Sequence, residues 1–380
     1  MSSPDNTIPT KATFLKAFQT STQIFETRFT PCGTVLLAAC MDSTLRRWRF
    51  LDAPLEAAPL VEVDSKPKAK APANAKPAAP HELVELSPIK GFKGWVQTLA
   101  THPAESVVYA ADTWGRLGAW DAVSAEPTLK WAQPAAHDGW IRQLTVSPKG
   151  DKLASCGRDK HVCIWDTRDG KKLADFQHTQ DVFCLSFTPD GNQLVFGDFF
   201  SKIQVAPTDL RSVIREIDAS GLYLLSRMQD VTGLRVLRFS PDGNTLFAAG
   251  CKPAGGGFVK GTPNAITFDY PSGKAKETTV IGGESDGFFL DLAWHPGGFY
   301  IAPLSGQPGS GQIVFVRPGE KTSFFADKSM ANCQSVALHP GGKLFVAAGT
   351  NKGSNGNGKP STEGPYLSNN SPLHLFALEV

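Results

Sequence analysis

The sequence lacks the features that announce most chemistries. Seven cysteines, at 32, 40, 156, 163, 184, 251 and 333, include no Cys-x-x-Cys pair. An odd number at irregular spacing argues against a disulfide framework or a zinc site, so free buried thiols in a reducing, cytoplasmic compartment are expected. No stretch approaches the length of apolar chain needed for a membrane-spanning helix. The opening MSSPDNTIPTKATFLKAFQT has no charged segment followed by an apolar run, so no signal peptide is expected. H-E-x-x-H and phosphate-loop motifs are missing. The glycine-rich GGGF at 255–258 opens no recognisable helix. Charged residues are sparse at 19%, and the formal net charge is only +2. Neither nucleic acid nor an anionic membrane is therefore an expected partner, and no cofactor or metal is expected.

Glycine (36) and proline (28) are abundant, and hydrophobic residues make up 41% of the 380. That composition suits many short strands joined by tight turns around a large core. One phrase recurs seven times: a hydrophobic strand, a turn containing proline and usually glycine, and a second hydrophobic strand. The copies cover 27–40, 97–111, 142–156, 183–197, 235–250, 290–303 and 334–349. Their turn prolines are Pro31, Pro103, Pro148, Pro189, Pro241, Pro296 and Pro340, separated by 72, 45, 41, 52, 55 and 44 residues. Proline fixes φ and glycine accepts positive φ, which gives a tight antiparallel turn. The alternation of apolar and polar residues reads as half-buried strands. A repeat near this length is the sequence mark of a propeller blade, and radial stacking lets blades bury faces that none could bury alone.

The third copy carries a specific resemblance. AHDGWIRQLTVSPKGDKLASCGRDKHVCIWD (136–166) resembles the WD40 repeat nearly end to end. The resemblance implies a structural hydrogen-bond tetrad of His137, Ser155, Asp159 and Trp165. Blade 1 keeps Asp42 and Trp48 at the same spacing. Blade 2 keeps Trp120 and Asp121 but has Trp114 at the tetrad aspartate position. Blade 4 keeps His178 and replaces the tryptophan, by this alignment, with Val205. Blades 5, 6 and 7 keep only the strand pattern. The expected architecture is all-β: a single seven-bladed WD40-type β-propeller over 12–380, led by a disordered segment at 1–11. The run TFLKAF (13–18) is expected to supply the outer strand that blade 7, ending in LHLFALEV (373–380), lacks. Such closure removes two exposed sheet edges.

The longest interval holds an Ala/Pro/Lys-rich segment, 51–81, read as a flexible loop inserted in blade 1 on the bottom face. Three glycine-rich stretches, 251–264, 304–312 and 350–370, are read as long loops of blades 5, 6 and 7 on the opposite face, where loops often carry function.

Of the eight histidines, His102, His295 and His339 precede turn prolines and read as turn residues; His137 and His178 take the tetrad position. The better functional signal is a ring. Aligning the seven copies places Gln23, Trp95, Trp140, Asp181, Gly233, Phe288 and Asn332 at the top entrance of each first strand. In WD40 proteins this position commonly faces a partner. Trp95 and Trp140 lie on neighbouring blades, and each such ring can bury about 150–250 Å². Arg158 borders the pair and suits a carboxylate or phosphate. The leading expectation is a non-catalytic, monomeric scaffold that binds a protein or peptide through this face. The alternative is a propeller enzyme or small-ligand binder, a lactonase-like hydrolase with a central metal. Its candidate ligands are Asp181, Asn332, Asp286 and Asp291.

Overall fold

The structure, a computed structural model, describes residues 8–51, 81–224, 231–254, 260–306, 309–350 and 370–379. Seven antiparallel sheets follow one another along the chain. In blade 3, Ile141–Val146, Lys152–Gly157, His161–Asp166 and Lys172–Gln177 pair in sequence order. Blades 1, 2, 4 and 5 repeat this order, and blade 6 splits its first strand into Phe288–Phe289 and Ala293–His295. A separate two-stranded ribbon joins Tyr223–Leu224 to Val231–Thr232. No helix among the described residues is long and apolar enough to cross a membrane.

The second strand of each blade explains why the sheets form a ring. In blade 1, every residue of Val35–Cys40 is buried. Alternate residues of a strand point to opposite faces, so Val35, Leu37 and Ala39 pack on blade 2 while Leu36, Ala38 and Cys40 pack on blade 7. The half-buried reading of these strands is therefore corrected: they are buried on both faces because each blade has a neighbour on either side. Seven apolar clusters result, one at each junction between successive blades. The cluster that joins Ile24, Leu36 and Trp48 to Ala337, Val346 and Leu373 closes the circle.

Closure is also made by hydrogen bonds. Lys11–Phe18 lies antiparallel to Leu373–Glu379, from Lys11 opposite Glu379 to Phe18 opposite Leu373, with a bulge between Phe14 and Lys16. The fourth strand of blade 7 thus comes from the start of the chain. Lys11, expected in a disordered lead-in, already pairs, and the rest of that segment up to residue 7 lies outside the described residues.

The insertion at 51–81 is narrower than its sequence suggested at both ends. Leu51 ends the strand Leu45–Leu51, and His81 stacks on Phe50 at 5.6 Å; residues 52–80 lie outside the described residues. The stretch 251–264 is mostly strand. Thr245–Ala254 and Lys260–Asp269 pair as far as Ala254 opposite Lys260. Strands likewise reach Ser305 and resume at Gly311 within 304–312. Residues 351–369 of the last stretch lie outside the described residues.

The turn histidines link blades. The Nδ1 of His102 accepts the amides of Ala104 and Glu105, and its ring lies against the turn glycine of the next blade, Gly150. His339 of blade 7 lies against Gly33 of blade 1 in the same way. A Cβ on Gly150 would stand 2.1 Å from His102 Nε2, and Gly150 has φ +78°. Glycine is required there for both space and backbone.

Candidate functional site

The centre of the ring is shaped by a repeated irregularity. In blades 1 to 5 the pairing of first and second strands slips once, at Phe25, Gln97, Arg142, Phe183 and Arg235. A bulge leaves one residue unpaired and re-aims its side chain. Here all five line one cavity of about 330 Å³, joined by Leu290 of blade 6 and Gln334 of blade 7. A space lined by every blade is the mouth of the central channel. Each of these residues lies two positions after the rim residue aligned from sequence, hence on the same strand face but deeper.

In blades 1 to 3 the residue after the bulge, and in blades 6 and 7 its equivalent, ties its blade to the next. Glu26 Oε2 accepts the Leu99 amide at 3.0 Å, Thr98 Oγ1 the Leu144 amide at 3.2 Å, and Gln143 Oε1 the Leu185 amide at 2.7 Å. Asp291 Oδ2 accepts the Val336 amide at 3.2 Å, and Ser335 Oγ the Thr27 amide at 2.9 Å. Cys184 and Val236 occupy the equivalent position in blades 4 and 5. First strands form the inner edge of every sheet, so their outward amides need a partner. These side chains supply it.

Below the mouth sits a charged hub. Arg28 clamps Asp291 at 2.6 and 3.0 Å and meets Glu26 at 2.6 Å; Arg238 approaches Asp291 at 3.5 Å. Ser335 Oγ donates to Asp291 at 2.8 Å. Burial alone would raise the Asp291 carboxyl, but Arg28 and Arg238 hold it below the usual range. Burial is the largest influence on Glu26 and pushes it up. Asp291, a candidate metal ligand of the enzyme reading, is thus already occupied. Asp286, another such candidate, bonds the Gly283 amide at 2.7 Å in the turn entering blade 6.

The four residues aligned with the WD40 tetrad come together in blade 3. His137 Nδ1 lies 2.9 and 3.0 Å from the Asp159 carboxylate, His137 Nε2 2.7 Å from Ser155 Oγ, and Trp165 Nε1 donates to Ser155 Oγ at 2.8 Å. A neutral imidazole protonated at Nδ1 gives every atom a role, with the serine hydroxyl donating to Nε2. Burial pushes Asp159 up, but His137 and the amides of His161 and Asp138 outweigh it and lower its pKa.

Blades 2 and 4 solve the same problem two residues earlier. Asp112 accepts the amides of Lys93, Gly94, Trp114 and Arg116, and Asp198 bonds His178 Nε2 at 3.0 Å. Strand register also corrects blade 4: Leu153 opposes Trp165, and its counterpart Leu194 opposes Ala206, not Val205. Phe196 takes the Ser155 position and packs edge-on against His178. The sequence signal is an aspartate ending the second strand in both blades, outside the Asp-to-Trp spacing of blade 3.

The rim residues separate into groups. Trp95 is 42% exposed and stacks on Phe25 at 5.9 Å. Trp140 is half-buried, and exposed Arg158 donates its amide to the Trp140 carbonyl. Both border a depression of about 890 Å³ beside Asp159. Asp181 pairs with Arg142 at 3.3 Å. Phe288 lies 4.9 Å beneath the Arg235 guanidinium. Gln23 is half-buried, and its carbonyl accepts the Met41 amide. Asn332 is turned inward instead: buried, it accepts the Gly309 amide and donates to Thr350 Oγ1. Its left-handed backbone, φ +47°, accounts for the inversion. Trp114, passed over as a tetrad substitute, is 67% exposed on the same face.

Six of the seven thiols are buried and Cys32 is exposed, with no disulfide among them. Among the described residues one cluster has donors spaced for a metal: His161, Cys163 and Asp175. Lys172 Nζ already pairs with Asp175 at 2.8 Å, which opposes a cation there. The string Gly283–Gly287 has the letters G-x-S-x-G. It enters a short strand, whereas a nucleophile elbow needs a strand-to-helix turn.

Comparison with known proteins matches the family model "WD domain, G-beta repeat" at residues 130–166 and 170–199. Small ribosomal subunit protein RACK1 of Brassica napus is 32% identical over 124 residues, 30% of this chain and 37% of that protein. The Drosophila melanogaster protein of the same name is 30% identical over 112 residues, covering 30% and 35%. MST50-interacting protein 11 of Pyricularia oryzae is 26% identical over 161 residues, covering 42% and 49%. The chain spans between about a third and a half of the length of these relatives.

Proposed function

We propose that this chain, a WD40-repeat β-propeller, is a non-catalytic platform that binds a protein or peptide segment across its top face. The observation that carries the reading is the exposed indole pair of blade 2, Trp114 and Trp95, at 67% and 42% exposure. Trp140 of blade 3 and Arg158 continue the same surface. Tryptophan and arginine are the residue types most enriched at interface hot spots. The pairing of the central carboxylates with arginine supports the non-catalytic reading, since a channel metal would need those groups. The names of the relatives, a ribosomal subunit protein and an interacting protein, accord with a protein partner. Buried thiols without disulfides support a reducing, cytoplasmic setting. A ring closed by its own first strand needs no second copy to complete its core, which supports a monomer.

The test is affinity purification from the native cell with the wild-type chain and with Trp95→Ala/Trp140→Ala and Trp114→Ala variants of unchanged circular dichroism. Recovery of the specific partner is expected to fall about tenfold or more, the effect of losing one hot-spot residue. Undiminished recovery by all variants would count against the top face.

A further inference from the structure

The charges around the central channel do not balance equally at its two depths. In the hub, two guanidiniums, Arg28 and Arg238, face two carboxylates, Glu26 and Asp291. Arg28, Glu26 and Asp291 of the hub also line the mouth cavity, where they are already engaged with one another; beyond them, two guanidiniums at the mouth face one carboxylate. Arg142 pairs with Asp181 at 3.3 Å, and no carboxylate pairs with Arg235 among the described residues.

Arg235 is held in place without being neutralised. One of its terminal nitrogens donates to the carbonyls of Thr232 and Leu234. Its guanidinium lies 4.9 Å from the Phe288 ring centroid and 5.4 Å from that of Phe183. Arg142 lies over the same Phe183 ring at 4.1 Å. Two cations, from blades 3 and 5, therefore share one aromatic platform in the blade between them. Burial pulls the Arg235 guanidinium below its ordinary value, and Arg142 adds to that effect. Two more buried donors at this mouth, Arg142 Nε and Trp140 Nε1, have no hydrogen-bond partner among the described residues. Buried donors and charges without partners are costly, and a native structure that keeps them together calls for an occupant.

We propose that the mouth of the central channel receives one carboxylate side chain of a bound peptide, gripped by Arg235 and Arg142 over Phe183. The proposal rests on the top-face reading and names the chemistry its partner carries to the centre. The guanidinium fork matches a planar carboxylate. One negative charge brings the mouth to neutrality, whereas a phosphate dianion would overshoot it. The cavity, about 330 Å³, holds an acidic side chain with its backbone and does not suit a folded element. Gln97 and Gln334 on the far side of the mouth offer neutral hydrogen bonds to that backbone.

The test uses the full chain and three capped peptides that differ at one central position: glutamate, glutamine and phosphoserine, in an otherwise Gly/Ser/Ala sequence with one tyrosine. Binding is read by isothermal titration at low and at raised salt. The glutamate peptide is expected to bind at least tenfold tighter than the glutamine peptide, with affinity falling as salt rises. Arg235→Met is expected to erase that preference, because methionine keeps the contacts with Phe183 and Phe288 and removes the charge. Arg142→Met, the second variant, is expected to reduce it. Equal binding of glutamate and glutamine peptides, or a preference untouched in both folded variants, overturns the proposal. Tighter binding of the phosphoserine peptide overturns the single-charge assignment. Failure here is distinguishable from failure of the platform reading: a partner lost by Trp95→Ala/Trp140→Ala yet retained by Arg235→Met leaves the platform standing and removes the channel site.

Discussion

Arg28 of blade 1 and Asp291 of blade 6 meet at the centre of the ring past the intervening blade 7, the guanidinium clamping the carboxylate through two hydrogen bonds of 2.6 and 3.0 Å. Asp291 is also held by Ser335 and by Arg238, so this carboxylate touches blades 1, 5 and 7 from its place in blade 6. Removing one partner strands a buried charge, which typically costs about 3–5 kcal/mol. Arg28→Met is therefore expected to lower the thermal midpoint by several degrees, measured by differential scanning calorimetry. An unchanged midpoint would mean that the hub contributes nothing to ring stability.

The ladder of side chains between blades makes a separate prediction at a neutral position. Gln143→Leu keeps the volume but leaves the Leu185 amide without its acceptor at 2.7 Å. An orphaned buried amide costs about 1–3 kcal/mol. The urea midpoint is expected to fall accordingly, and the Leu185 amide is expected to exchange faster with deuterium than in the wild type.

At the bottom turns, Gly150→Ala forces a Cβ to within 2.1 Å of His102 Nε2 at a backbone φ of +78°. The left-handed conformation alone costs about 1–2 kcal/mol, and the overlap adds to it. The double variant His102→Ala/Gly150→Ala removes the overlap and leaves the backbone strain. Its stability loss is thus expected to be smaller than the sum of the two single losses, in a denaturant double-mutant cycle.

Acid is expected to loosen blade 3 through Asp159. Its folded pKa is lowered, by His137 and backbone amides acting against burial. A carboxylate lowered on folding contributes stability that is complete above the unfolded value of about 3.9 and is lost as pH falls through the folded value. Tryptophan fluorescence of the Trp165 environment, followed from neutral pH downward, is expected to change only below about pH 4 in this step. Asp159→Asn is expected to lower stability at neutral pH and to flatten that acid dependence. An acid transition identical in the variant would assign the effect elsewhere, with Asp291 the next carboxylate to examine.

Local chemistry made much of the architecture legible. Seven proline turns set the blade number, because each turn needs residues of fixed backbone geometry at fixed places. The resemblance of 136–166 to the WD40 repeat implied that His137, Ser155, Asp159 and Trp165 bond to one another, and all four lie within one repeat. Blades 2 and 4 escaped the same reading because Asp112 and Asp198 reach the loop from two residues earlier, a geometry that the spacing of letters does not encode.

What the sequence by itself determined was the repeat: strand, turn, strand, and a closing strand at TFLKAF (13–18). The tertiary structure alone decided what meets at the axis. Glu26 and Arg28 lie far along the chain from Arg238 and Asp291, and no local pattern pairs them with those two; only the closing of seven sheets into a ring brings Arg28 and Arg238 within bonding distance of Asp291. The bulges at Phe25, Gln97, Arg142, Phe183 and Arg235 are likewise invisible in a two-residue alternation, because a bulge is a property of the pairing between strands and not of either strand alone.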